Sequence, residues 1–290
     1  MFSDIRDIKD KLSLKIITFR AIYQAVLTLL DENPGHPTPS RLHGDEFSCT
    51  SCFDKNEKGY NISRISLTCI IVAYVLDDYS SAFEFVEICR KHQSHIATVY
   101  SYPQLLFYDG LVSLELARNK TGIEKITLVQ RAQENISKLT HFTANAPCNY
   151  LNKMYFLNAE LAVVFGDNNK AISNYEETIK LSQKHLFVHE EAMSCERFAL
   201  LYHSMQASSE ASKYFIKAYK CYEKWGAVKK MKQLKSKYPS YINDDTLNVR
   251  VSFASTGMEI SNTQDIVSMV SELTSSTSSV THKNKRGKYA

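Results

Sequence analysis

The residues of this 290-residue chain that could do chemistry gather in three places. The first holds His36, His43, Cys49 and Cys52. Cys49 and Cys52 make one C-x-x-C pair, and thiolates with an imidazole are ligands that zinc favours. A structural zinc site takes four ligands, usually from two such pairs. The second pair is missing here, and His36 would have to complete the set, so an ordinary loop is the default reading. The second place is His185 and His189, four residues apart, with Glu190 and Glu191 following. On one helix both imidazoles would share a side. They straddle a turn at His185-Leu186, however, and the H-E-x-x-H order of zinc proteases is absent. Capping and surface roles are expected for them. The third is a run of lysines, Lys224, Lys229, Lys230, Lys232, Lys235 and Lys237. Such a run reads as a solvated face that also suits the negative end of its helix dipole. It would accept an acidic protein partner; aromatics for base stacking are not interleaved on its exposed side, so nucleic acid is not expected.

Phosphate chemistry has no motif to rest on. The sequence contains no G-x-x-x-x-G-K-[ST] loop, no G-x-G-x-x-G turn, no paired H-R-D and D-F-G signals, and no G-x-S-x-G elbow. No catalytic, cofactor-binding or metal-ligating residue is expected, and no cofactor.

The elements that would carry these residues are helices. Glycine and proline are few, 9 and 6, which suits long uninterrupted helices. Hydrophobic residues at 44% and charged residues at 23% give a soluble globular composition, and a net charge of +4 makes no general case for nucleic acid. The most apolar segment, 67–76, falls well short of the roughly 20 residues that span a bilayer. Residues 1–10 are charged and the apolar run after them is broken by Arg20 and Gln24, so no signal peptide is read there. The 7 cysteines are an odd number, and Cys69, Cys89, Cys195 and Cys221 read as small core residues of a reducing compartment. A cytoplasmic protein without a membrane partner is expected.

Residues 149–239 organise the chain. Ala159, Leu161, Ala171 and Tyr175 recur as Ala199, Leu201, Ala211 and Phe215, at an offset of about 40 residues typical of helix-pair repeats. Segments 168–184 and 208–225 each carry one apolar face: Ala171, Ile172, Tyr175 and Ile179 in the first, Ala211, Tyr214, Phe215, Ala218, Tyr219 and Tyr222 in the second. Segment 151–165 is apolar nearly all round and must be covered on two sides. This alternation predicts a stack of hairpins, each hiding its neighbour's surface. Upstream, a helix over 5–30 presents Ile16, Phe19, Ile22, Tyr23, Val26, Leu27 and Leu30. An irregular loop follows over 33–60, then helices over 63–76, 79–92, 102–118 and 123–139, the last with Ile126, Val129, Ala132 and Ile136 inward. A short helix over 228–238 closes the series at Pro239. Two regions result: a TPR-like helical array over 1–239, and a mostly disordered Ser/Thr- and Lys-rich tail over 240–290 with one amphipathic segment at 263–273.

Several stretches stand in a recognisable order: Asn158-Ala-Glu-Leu-Ala162, Ala171-Ile-Ser-Asn-Tyr-Glu-Glu-Thr-Ile179, His189-Glu-Glu-Ala192, Ala218-Tyr-Lys-Cys-Tyr-Glu-Lys-Trp-Gly-Ala227 and Tyr238-Pro239. They resemble the helical-repeat region of large multidomain hybrid kinases. Those proteins run from a serine/threonine-kinase-like domain through an AAA-type ATPase into a TPR-like array, then a GAF domain and a histidine kinase. The likeness covers roughly 5–241 and is sharpest over 158–239. It implies an all-α, TPR-like α-α hairpin solenoid and a role in signal transduction, as a relay arm whose partners are protein, with kinase or ATPase domains the candidates. The family's nucleotide site, phosphorylated histidine and GAF pocket lie outside the matching region, so the resemblance carries no catalytic residue and the chain looks like a fragment without the catalytic domains.

Three function classes follow. The first is a non-catalytic interaction and relay module. The second is a part of an ATP-dependent serine/threonine or histidine kinase whose catalytic domains lie outside this chain. The third, an ATPase-linked transcriptional regulator, would need a DNA-reading helix that the sequence does not show.

Overall fold

The protein is described by a computed structural model over residues 17–32, 41–44, 47–48, 59–243 and 247. Helices dominate: α1 over 17–29, α2 Gly59–Val75, α3 Tyr79–Lys91, α4 Ser101–Ala117, α5 Gly122–Asn145, α6 Pro147–Phe165, α7 Asn168–Lys184, α8 Val188–Ser204, α9 Ser208–Trp225 and α10 Val228–Lys237. Among the described residues there is no strand, only an isolated antiparallel bridge between His43 and Ser48. The fold is all-α. The amphipathic segment at 263–273 lies outside the described residues, as do the first part of the helix expected over 5–30 and most of the loop expected over 33–60; Gly59 and Tyr60 open α2.

Helices α1, α2, α6, α7, α8 and α9 end in one recurring way, and in the last four that sets their spacing. Gly166, Leu186, Gln206 and Gly226 all have φ between 61° and 84°, and each follows the last by 20 residues. At each, a residue in the left-handed region and its successor bond back to the last turn. Thus Gly166 N–H donates to Val163 C=O and Asp167 N–H to Ala162 C=O, while Gln206 and Ala207 do the same to His203 and Tyr202. This is the Schellman closure, which satisfies carbonyls left over at a helix end. Asp77 and Asp31 repeat it at the ends of α2 and α1. Asp78 then caps α3 by accepting from Ser81 N–H at 3.1 Å, and Asp167 caps α7 by accepting from Lys170 N–H at 3.0 Å. Twenty residues per helix and its turn make 40 per hairpin, the offset visible in the sequence.

Consecutive helices pair most closely: α2 with α3, α4 with α5, α6 with α7, α8 with α9. The first helices of successive pairs also touch in series, α2 to α4 to α6 to α8, while each second helix packs on the first helix of the next pair. The first helices are therefore covered on several sides. Gly110 shows how closely they approach, since a Cβ there would stand 2.7 Å from Leu157 Cδ2 on α6. A glycine in mid-helix costs about 0.5–1 kcal/mol relative to alanine, and this contact explains its presence. Ala159, Ala171, Tyr175, Ala199, Ala211 and Phe215 are all fully buried, as Leu201 nearly is, while Leu161 is partly buried, so most of the matched positions lie in the seam. One continuous core runs from Ala21 to Ile242.

Three sequence expectations need correction. In α1, Phe19 and Tyr23 are exposed, while Thr18, Ala21, Gln24, Ala25 and Thr28 face inward. Large apolar groups defined the expected face, but small residues line the actual one. In α5, Ile126 is 51% exposed and the inward face begins at Val129. Nothing in the structure explains the exposed Ile123 and Ile126. In α6 the buried face includes Asn152, Lys153 and Glu160, while Phe165 is exposed. These polar groups pair with other helices, so the buried face is not the one its apolar residues alone mark.

Candidate functional site

The polar groups that α6 buries belong to a series of ion clusters inside the stack. The central one is built on Arg197, projected by α8 between α4 and α6. Its Nε lies 3.2 Å and its Nη2 3.1 Å from the two Glu160 oxygens. The same guanidinium meets Glu115 of α4 and reaches Tyr79 Oη at 3.4 Å. Arg118 donates to Glu160 at 2.6 Å and pairs with Glu115 at 3.0 Å, and Tyr175 of α7 donates to Glu160. Burial would raise the pKa of Glu160, but Arg197, then Arg118 and the Tyr175 hydroxyl, hold it down to about 2. Two carboxylates, two guanidiniums and two phenols thus join α3, α4, α6, α7 and α8.

A second cluster lies between α6 and α8. Lys153 is fully buried and pairs with Glu190 at 2.8 Å, while also donating to Asn149 C=O at 2.9 Å. Its ammonium stands 4.4 Å from the Phe187 ring centre, a cation–π distance. Asn152 donates to both Glu190 and Ser182. Burial alone would raise the Glu190 carboxyl; Lys153 and His189 bring it to about 2. A third cluster sits between α3, α4 and α5, where Asp109 accepts from Arg90 at 2.6 Å and from Arg131 at 2.7 Å. Arg131 also pairs with Glu87 at 2.6 Å.

The fourth cluster corrects the reading of the C-terminal lysines in part, since Lys224, Lys232 and Lys237 are exposed and Lys230 is not. Lys230 is not on a solvated face: it is buried, 2.8 Å from Asp77 and 2.7 Å from Glu196. Tyr222 donates to Glu196 at 2.6 Å. Lys237 pairs with Asp77 at 2.7 Å, and Lys229 and Lys232 pair with Asp31 at 2.7 and 2.8 Å. Helix α10 therefore sets these lysines on aspartates in the turns after α1 and α2: Lys230 is buried there, while Lys232 and Lys237 keep exposed side chains. A run of lysines looks the same in sequence whether its counter-ions are solvent or distant aspartates.

These arrangements hold helices together. Each carboxylate named has a cation beside it, although burial outweighs Lys230 at Glu196 and raises that carboxyl. Beside Arg197 lies a cavity of about 10 Å³, lined by Tyr74, Asp77, Tyr79, Glu196 and Tyr222 among others. That is room for about one water. Burial pushes the thiols of Cys89 and Cys221 up to about 12 and that of Cys195 well above its ordinary value, so they stay protonated near neutrality.

The sequence-predicted candidates fare differently. His36, Cys49 and Cys52 lie outside the described residues; His43 Nδ1 is 2.7 Å from Ser48 Oγ. Among the described residues no group of three or more His, Cys, Asp or Glu could hold a metal ion. His185 closes α7, Leu186 makes the turn, and His189 begins α8 with its ring 5.5 Å from Trp225 and its Nε2 3.4 Å from Glu190. No helix among the described residues is long and apolar enough to cross a membrane.

No family profile matches this sequence. One similarity stands out. Over 70 residues the chain is 31% identical to hybrid signal transduction histidine kinase G of Dictyostelium discoideum. The match covers 24% of this chain and 2% of that kinase. The chain is thus similar to a small part of a signalling kinase, over about a quarter of its own length.

Proposed function

We propose that this chain is a non-catalytic interaction and relay module of signal transduction, a TPR-like α-α hairpin solenoid acting in the cytoplasm. The observation that carries the reading is the 70-residue similarity to a hybrid histidine kinase, in a chain whose helices pair and step as repeats do. Stacked hairpins offer extended surfaces to protein segments, so the partners are proteins, kinase or ATPase domains first. In the resembling family such an array stands between an ATPase and a histidine kinase; a relay at that place needs stiffness more than chemistry. The buried ion clusters fit this use, because each includes an ion pair between helices of different pairs. The array is assigned to 1–239, with Tyr241 and Ile242 just past it still packed on its core, and the remainder to 290 is an appended tail. Any kinase or ATPase activity belongs to domains outside this chain.

A chimera tests the reading. The matched segment of the Dictyostelium kinase is replaced by its counterpart from this chain, and autophosphorylation of the purified chimera is measured. A relay segment retains most of the parent rate, while an unrelated helical segment of equal length loses it. Equal loss in both chimeras overturns the proposal.

A further inference from the structure

Helix α10 joins the two ends of the described chain, and the two sides of that joint differ in kind. Toward α9 the contact is apolar and aromatic: Leu234 is buried, and just past the helix Tyr238 and Tyr241 stack on Phe215 with ring centres 4.4 and 5.1 Å away. Toward α1 and α2 the contacts in view are ionic or polar: Lys229 and Lys232 on Asp31, Lys230 and Lys237 on Asp77, and Gln233 donating to Leu76 C=O at 3.1 Å. Asp31 and Asp77 occupy equivalent places, each the left-handed residue of a helix closure, with φ 62°. Glycine fills that place after α6 and α9 without strain. An aspartate there costs conformational energy, and both aspartates use their carboxylates to hold lysines of α10. The cavity of about 10 Å³ borders Asp77 and Glu196, and the buried Tyr74 hydroxyl on its wall has no hydrogen-bond partner.

We propose that Asp31, Asp77 and Glu196 form an acidic seat for a lysine-bearing helix, and that α10 occupies it as a reversible strap closing the array. A lysine helix of a partner would enter the same seat by replacing α10. The spacing it must offer is that of Lys229, Lys230, Lys232 and Lys237. Within the chain α10 has the advantage of tethering, an effective concentration on the order of millimolar, so the seat is masked until the strap weakens. Salt weakens it, since exposed ion pairs are screened. The inference rests on the contacts of α10; a chain with no kinase partner would show the same strap.

The test uses a fluorescent peptide of residues 226–237, which lacks the stacking tyrosines, and full-length chain with Lys229→Glu and Lys232→Glu. The strap of that variant faces Asp31 with like charge. Peptide anisotropy should show at least about tenfold tighter binding to the variant than to the unaltered chain. Binding should fall in about 0.5 M NaCl, where screening acts over only a few Å. The peptide carrying Lys229→Gln, Lys230→Gln, Lys232→Gln and Lys237→Gln should not bind. Equal affinity for both chains, no binding to either, or undiminished binding of the glutamine peptide overturns the proposal. If the double variant loses helix content by circular dichroism, Lys232→Glu alone, at a two-thirds exposed side chain, carries the same comparison. Hydrogen exchange gives an independent readout. Amides of α10 should exchange faster with rising salt while those of α8 keep their protection, and salt-independent α10 protection refutes the strap.

Discussion

Replacing Arg197 by methionine probes the central cluster. Methionine keeps much of the volume and removes the charge. Glu160 then retains Arg118 at 2.6 Å and the Tyr175 hydroxyl, while losing two hydrogen bonds and its bidentate partner; Glu115 loses one of its two cations. Breaking a buried ion pair from one side costs about 3–5 kcal/mol, because the remaining charge stays buried. Against a total stability of about 5–15 kcal/mol for a typical protein this is a large fraction. The loss should depend on pH with a definite sign. In the unaltered chain Glu160 titrates near 2, below its ordinary 4.5, so its contribution is present above about pH 4.5 and disappears as pH falls through 2. Without Arg197 the folded carboxyl titrates higher and can neutralise in place. The stability gap should therefore be widest near neutral pH and narrow as pH falls toward 2. Urea unfolding followed by circular dichroism at several pH values reads both quantities. A cost under about 1 kcal/mol near neutrality, or a gap constant between about pH 7 and 3, would refute the assignment of Arg197 as the counter-charge of Glu160.

Other expectations are more local. Ala171 is fully buried where α7 meets its partner, so Ala171→Trp should overpack the hairpin and cost about 1–3 kcal/mol; an unchanged melting midpoint would place Ala171 elsewhere. Leu186 is 78% exposed with φ 62°, so Leu186→Gly relieves a left-handed leucine and should raise stability by about 1 kcal/mol in urea, while a loss would mean the side chain packs. Ending the chain at Ala227 uncovers Phe215 and leaves Glu196 without Lys230; light scattering should show self-association, and a monomer of equal solubility would contradict the capping role of α10.

The sequence made the helices legible and their faces only partly so. Segments 168–184 and 208–225 match α7 and α9 residue for residue, because Gly166, Asp167, Gly226 and the 40-residue repeat mark their ends. The exit from α8 was harder to see: Gln206 takes the left-handed turn that a glycine would have announced. Faces failed where burial went to polar or small residues. A helical periodicity read from large apolar groups passes over Ala21 and Ala25 in α1, and discards Glu160, Arg197 and Lys153 as surface. A signal for them did exist, since Glu160 interrupts an apolar run in Leu157–Ala162, and Arg197 sits between Cys195 and Phe198. What no single segment could reveal is which charges meet, because Arg197 finds Glu115 82 positions away and Lys230 finds Asp77 153 positions away. The finer reading, a TPR-like relay arm, rests on residue resemblance; the kinase similarity over 70 residues reaches only to a signalling relation.

The most direct measurement is a calorimetric titration of the purified chain against separately purified ATPase and histidine-kinase domains of a hybrid kinase, with ATP consumption followed in the same cell. The account predicts saturable binding to at least one domain and no ATP turnover by the chain alone. Turnover by the chain alone, or no binding heat with either domain, would contradict it.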